Sequence, residues 1–162
     1  MKAFYLVFGI LTQLFLTGCE KIGGLGDIVM DSGIDFLCED ELKNDLFSKS
    51  STNTLNTDNI RIYYVNGNQK INVFDYDRDF QRNYKIYEFS TGNVMRLFPN
   101  DSLENGYSTT LIEWNLTDTD TIKCAIKKTS TTLITDSVWY NNKLEYPTNN
   151  EYKPKRMFKI IK

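Results

Sequence analysis

The chain has 162 residues, with 19 Lys and Arg against 21 Asp and Glu and no histidine. That length fits one domain, and 41% hydrophobic with 14% aromatic residues provide for a packed core and argue against a disordered chain. A formal net charge of −2 lacks the basic footprint of a nucleic-acid binder, so no nucleic-acid partner is expected. The missing histidine excludes a Ser/His/Asp or Cys/His relay, a histidine zinc site and an imidazole switch.

Met1 and Lys2 give a short positive start, and Ala3 to Leu16 follows as an uncharged, mostly apolar run. A helix that crosses a bilayer needs about 20 apolar residues. This run is shorter and ends at Thr17-Gly18-Cys19-Glu20, so it reads as the n-region and h-region of a signal peptide. Leu16-Thr17-Gly18-Cys19 resembles the lipobox of bacterial lipoproteins, an aliphatic residue and two small ones before a cysteine. The resemblance implies that signal peptidase recognises Leu16, Thr17 and Gly18 and cuts before Cys19. It also implies that Cys19 carries diacylglycerol and an N-acyl chain, with no other cofactor. Acyl chains contribute about 0.8 kcal/mol per buried methylene, so two or three of them hold a soluble domain on a lipid bilayer. Glu20, in place of the aspartate associated with inner-membrane retention, points to the outer membrane.

The expected organisation is a signal peptide over residues 1–18, a lipidated cysteine and flexible tether over 19–33, and a single β-rich domain over 34–162. The tether contains four glycines, Gly23, Gly24, Gly26 and Gly33. Cys38 and Cys124 are left as an even pair in an oxidising compartment, which makes them a disulfide candidate; two buried thiols are the other reading. A bridge across their 86-residue separation would contribute roughly 4 to 5 kcal/mol in the chain-entropy model. From Asp35 to Phe47, the spacing of Phe36, Leu37, Leu42, Leu46 and Phe47 behind acidic first turns predicts one helix, with Ser32 or Asp35 as its cap.

Ser48 to Asn59 is rich in Ser, Thr and Asn and reads as a loop. Beyond it the pattern has period two. Runs at 59–65 and 70–76 flank Asn66-Gly67-Asn68-Gln69, and runs at 84–89 and 94–98 flank Ser90-Thr91-Gly92-Asn93. Runs at 108–116 and 121–128 flank Thr117-Asp118-Thr119-Asp120, runs at 131–140 and 143–146 flank Asn141-Asn142, and 157–161 makes a last strand. The expected fold is mainly β: an antiparallel meander of about nine short strands forming a small barrel or sandwich, with one N-terminal helix.

Chemistry is sparse. Asp75, Asp77 and Asp79 alternate as calcium ligands would, yet Phe80 and Ile86 stand where an EF-hand has Gly and Glu, so no metal site is expected. On an extended strand these aspartates would share one solvated face. Glu88, Glu104, Glu113 and Glu145 show no local pairing of the kind glycoside hydrolysis uses, and no nucleophile motif is present, so no catalytic residue is assigned. Lys153-Pro154-Lys155-Arg156, with Lys159 and Lys162, forms a local basic stretch. The consecutive pairs Tyr63-Tyr64 and Trp139-Tyr140 must point to opposite faces of a sheet, leaving one member of each free for a partner unless both faces are covered. The expectation is a non-enzymatic envelope lipoprotein that binds a protein, such as an inhibitor or immunity protein against a toxin or lytic enzyme. An accessory subunit of an outer-membrane or surface assembly is the alternative.

Overall fold

The computed structural model describes residues 28–147 and 157–162; the lipobox residues Leu16, Thr17, Gly18 and Cys19 and the basic Lys153–Arg156 stretch lie outside them. Alternation of apolar and polar side chains carries the described residues into eleven strands. These are β1 (Val29–Asp31), β2 (Ile34–Glu39), β3 (Arg61–Asn66), β4 (Gln69–Asn72), β5 (Tyr84–Phe89) and β6 (Gly92–Leu97). They continue with β7 (Tyr107–Asn115), β8 (Asp118–Lys128), β9 (Thr132–Tyr140), β10 (Lys143–Tyr146) and β11 (Met157–Ile161).

The strands form a seven-stranded sheet in the order β1-β9-β8-β7-β3-β4, with β10 also paired to β9, and a four-stranded sheet in the order β11-β2-β6-β5. The result is two open sheets and not a closed barrel. The meander is only partial. β7 to β10 run as successive antiparallel hairpins, but β1 pairs parallel to β9 and β11 pairs parallel to β2. β1 also means that Val29 to Asp31, expected within the tether, belong to the sheet.

Local turn chemistry sets the hairpins where it was expected. Asn141 and Asn142 both take positive φ, 46° and 69°, as a two-residue loop with primed-turn geometry requires. Gly67 has φ 57° between paired Asn66 and Gln69. β4 stops at Asn72, however, and Asp75 to Asp79 lie in an irregular connection rather than on a strand. There Asp75 accepts from Arg78 Nε at 2.9 Å and from the Asp77 amide at 3.1 Å.

The helix expected over Asp35–Phe47 is replaced by β2 and a turn. Ile34, Phe36 and Cys38 face inward at period two, while Leu37 packs beside Gly92 on the other face. Asp40 then captures the chain: its Oδ1 accepts from the amides of Leu42 (2.9 Å) and Asn44 (2.8 Å), and Lys43 takes φ 67°. Such side-chain bonds to nearby amides compete with helical ones and win here, because the preceding segment is committed to the sheet. The sole helical element among the described residues is a 3-10 turn at Thr57–Asn59.

The two inner faces meet in one core. Phe36 sits at its centre, edge-on to Trp114 at 6.3 Å and tilted against Phe158 at 5.5 Å between ring centroids. On the outside of the smaller sheet Asp35, 2% exposed, takes a bidentate pair from Arg96 at 2.8 and 2.7 Å. The Arg96 side chain is 36% exposed and could return to water. Asp35→Ala should therefore lower unfolding free energy by about 1–2 kcal/mol, less than for a fully buried pair, in urea denaturation.

Cys38 and Cys124 enter the core from different sheets, on β2 and β8, and both are buried. The disulfide expected between them is not formed; each instead fills apolar core volume. Burial, opposed in part by Lys162, pushes the Cys38 thiol up to about 12, so almost no thiolate exists at neutral pH. A chain starting at residue 20 should resist a thiol reagent at about pH 8 while folded and expose both cysteines in denaturant without reductant. Failure to titrate in denaturant would establish the bond.

Candidate functional site

Period two divides each aromatic pair. Ile62, Tyr64, Ile112, Ile122, Cys124, Val138 and Tyr140 point inward from the larger sheet, so Tyr63 and Trp139 point outward. The inward members, Tyr64 and Tyr140, are engaged within the structure, and Tyr63 and Trp139 are the members that face outward. Tyr64 donates to the Phe98 carbonyl at 3.0 Å and accepts from Asn83 Nδ2 at 2.6 Å. Tyr140 donates to Asp120 Oδ2 at 2.5 Å. Burial raises the pKa of both phenols.

The outward members share one face of the larger sheet. One row across five strands reads Val65, Thr109, Lys123, Trp139 and Leu144. Beside it Tyr107 meets Trp139 edge-on at 5.7 Å, and Tyr63 pairs with Leu111. Two lysines lie over these rings: Lys70 Nζ is 3.8 Å from the Tyr63 centroid and Lys123 Nζ is 4.2 Å from that of Tyr107. Glu113, on the same face, accepts from Tyr63 OH and Lys70 Nζ, both at 3.4 Å. Tyr107 escaped sequence reading because it precedes the predicted strand start at 108. Its alternation with Thr109, Leu111 and Glu113 was the available signal.

A second feature is a groove of about 830 Å³ bounded by Tyr64, Ile71, Phe74, Phe80, Phe98 and Leu133. The Asp75–Asp79 connection forms part of its wall, and Phe74 contacts Tyr76 edge-on at 4.7 Å. Among the described residues no group of three or more His, Cys, Asp or Glu could hold a metal ion.

The glutamates considered as catalytic candidates fall in separate surroundings. Glu104 accepts from the Gly67 amide, Glu113 faces Lys70, Glu145 pairs with Lys143 at 2.8 Å, and Glu88 is exposed on β5. A carboxylate with many donors is Asp120. It accepts from Trp114 Nε1 (2.6 Å), Tyr140 OH, Asn141 Nδ2 (2.6 Å) and Lys162 Nζ. Lys162 Nζ also holds both oxygens of Asp118 at 2.8 Å and lies 5.0 Å from the Trp114 ring centroid. Asp120 is satisfied by donors from both sheets, which is the arrangement of a structural lock between them. No family model matches the chain, and no curated protein or solved structure matches it.

Proposed function

We propose that this chain is an envelope lipoprotein, held on the outer membrane by acyl chains on Cys19, whose sandwich binds a protein partner and carries out no catalysis of its own. The observation that supports the binding role is the outer face of the larger sheet, where Tyr63, Tyr107 and Trp139 stand with lysines over two of the rings. Tyr and Trp bury much area at small entropic cost and are the residues that dominate protein interfaces. Inhibition of a toxin or lytic enzyme at the membrane is the form of this role favoured by a small, anchored domain.

Two measurements test the reading. Cys19→Ser should release the protein from the membrane fraction and abolish acyl labelling, and unchanged retention would overturn the anchor. Cross-linking in the native envelope followed by mass spectrometry should recover a soluble toxin or hydrolase in fixed ratio. Recovery of an integral outer-membrane protein would make the chain an accessory subunit instead.

A further inference from the structure

Two Asn-x-Ser/Thr sequences of the kind that accept Asn-linked glycans occur in the chain, Asn100-Asp101-Ser102 and Asn115-Leu116-Thr117. Their tertiary settings differ. Asn100 is 1% exposed, and its Nδ2 donates to the Val65 carbonyl at 3.1 Å and to Asn66 Oδ1 at 2.8 Å. A sugar on that nitrogen would displace those bonds inside the fold. Asn115 ends β7 and pairs with Asp118 across a hairpin tip, where Leu116, 98% exposed, and the exposed Thr117 make the two-residue loop.

We infer that Asn115 is the attachment site of an Asn-linked oligosaccharide, transferred in the envelope from a lipid-linked diphosphate donor. The inference rests on the envelope location proposed for the chain and not on its protein-binding role. The amide and the hydroxyl of Thr117 both donate to Asn115 Oδ1 at 2.9 Å. The backbone amide can only donate, so it fixes the oxygen end of the Asn115 carboxamide and leaves Nδ2 without an acceptor among the described residues. The hydroxyl is the group that the acceptor sequence requires at its third position. Transfer forms a bond from Nδ2 to the anomeric carbon of the sugar and breaks the bond from that carbon to the diphosphate oxygen, which leaves with the electron pair. One Nδ2 proton passes to a base of the transferase, and nothing is oxidised or reduced. Beside Asn115 lies a concavity of about 420 Å³ lined by Asn59, Arg61, Glu113 and Leu116, which gives the first sugar room and polar side chains for its hydroxyls.

The test uses the full chain purified from the native envelope with its acyl label. Trypsin cutting after Arg96 and Lys123 leaves both acceptor sequences in one peptide. Fragmentation that spares glycosidic bonds should place a glycan mass on Asn115 and none on Asn100. Asn115→Gln and Thr117→Ala should each abolish that mass and the accompanying gel shift, Thr117→Ser should keep both, and Ser102→Ala should change neither. Asn115 and Thr117 are exposed, so these variants should keep the circular dichroism of the wild type.

An unmodified 97–123 peptide as the sole form in acyl-labelled protein would overturn this inference and leave the lipoprotein reading standing. A chain found only outside the envelope, without acyl label, would overturn the envelope location and this inference with it. Glycan on Asn100 in place of Asn115 would overturn the choice of site. A lone hexose on Asn115 would overturn the lipid-linked donor in favour of a nucleotide sugar.

Discussion

Asp120→Ala is expected to lower unfolding free energy by about 3–4 kcal/mol, read from urea or thermal denaturation. Asp120 is 6% exposed and is the acceptor for Trp114 Nε1, Tyr140 OH, Asn141 Nδ2 and Lys162 Nζ together. Its removal strands the buried Trp114 Nε1 and the half-buried Tyr140 hydroxyl, while the exposed Asn141 can turn to water, and each unsatisfied donor costs about 1–3 kcal/mol. Lys162 keeps Asp118 as a partner, which holds the loss below the simple sum. Asp120→Asn retains an acceptor and should lose less. A loss under about 1 kcal/mol for the alanine variant would mean that the cluster is not a lock.

The same cluster sets the response to acid. Burial would raise the Asp120 carboxyl, but hydrogen bonds from Lys162, Tyr140, Asn141 and Trp114 outweigh it and leave the pKa below the usual 3.8. A lowered folded pKa means that the unfolded chain takes up the proton first. The contribution is therefore complete above the ordinary carboxylate range and is lost as pH falls through the folded value. Asp120→Ala should flatten the acid limb of stability against pH. The alkaline limb has the opposite sign: burial raises Cys38, Tyr64, Tyr84 and Tyr140, so the unfolded chain sheds those protons first and stability should fall as pH rises past the ordinary thiol and phenol values.

Phe36→Ala should cost about 3–5 kcal/mol in the same assay. Phe36 is fully buried on β2 and contacts Trp114 from the opposite sheet and Phe158 from β11. The strands around it are fixed by ladders on both sides, β11 and β6, so the cavity cannot collapse easily. Phe36→Leu restores part of the volume and should recover more than half of the loss. Equal damage from both variants would show that ring contacts, not volume, hold the sheets together.

The hairpins were legible because their instructions are local. Asn141-Asn142 tolerates left-handed backbone, Gly67 demands none of the usual steric restraint, and the flanking residues alternate. The division of Tyr63 from Tyr64 and of Trp139 from Tyr140 followed from period two alone. The helix misread shows where local pattern fails: Leu37, Leu42, Leu46 and Phe47 mimic a helical face, yet Leu42 is 82% exposed and Phe36 is taken by a sheet whose other strands lie some sixty and more than a hundred residues away.

Composition and alternation by themselves determined a β-rich domain, its hairpin turns and the absence of any histidine chemistry. Only tertiary structure decided the parallel β1–β9 and β11–β2 joints, which turn hairpins into two stacked sheets. It also gathered Trp114, Asp120, Tyr140, Asn141 and Lys162 around one carboxylate, and brought Lys70, Lys123 and Lys127 to a single face with Tyr107 and Trp139. The physical reason is the range of the forces concerned. Turn and strand preferences are set by neighbours along the chain, whereas pairing partners and clustered charges are chosen by burial, which acts between residues that meet only once the sheets have closed.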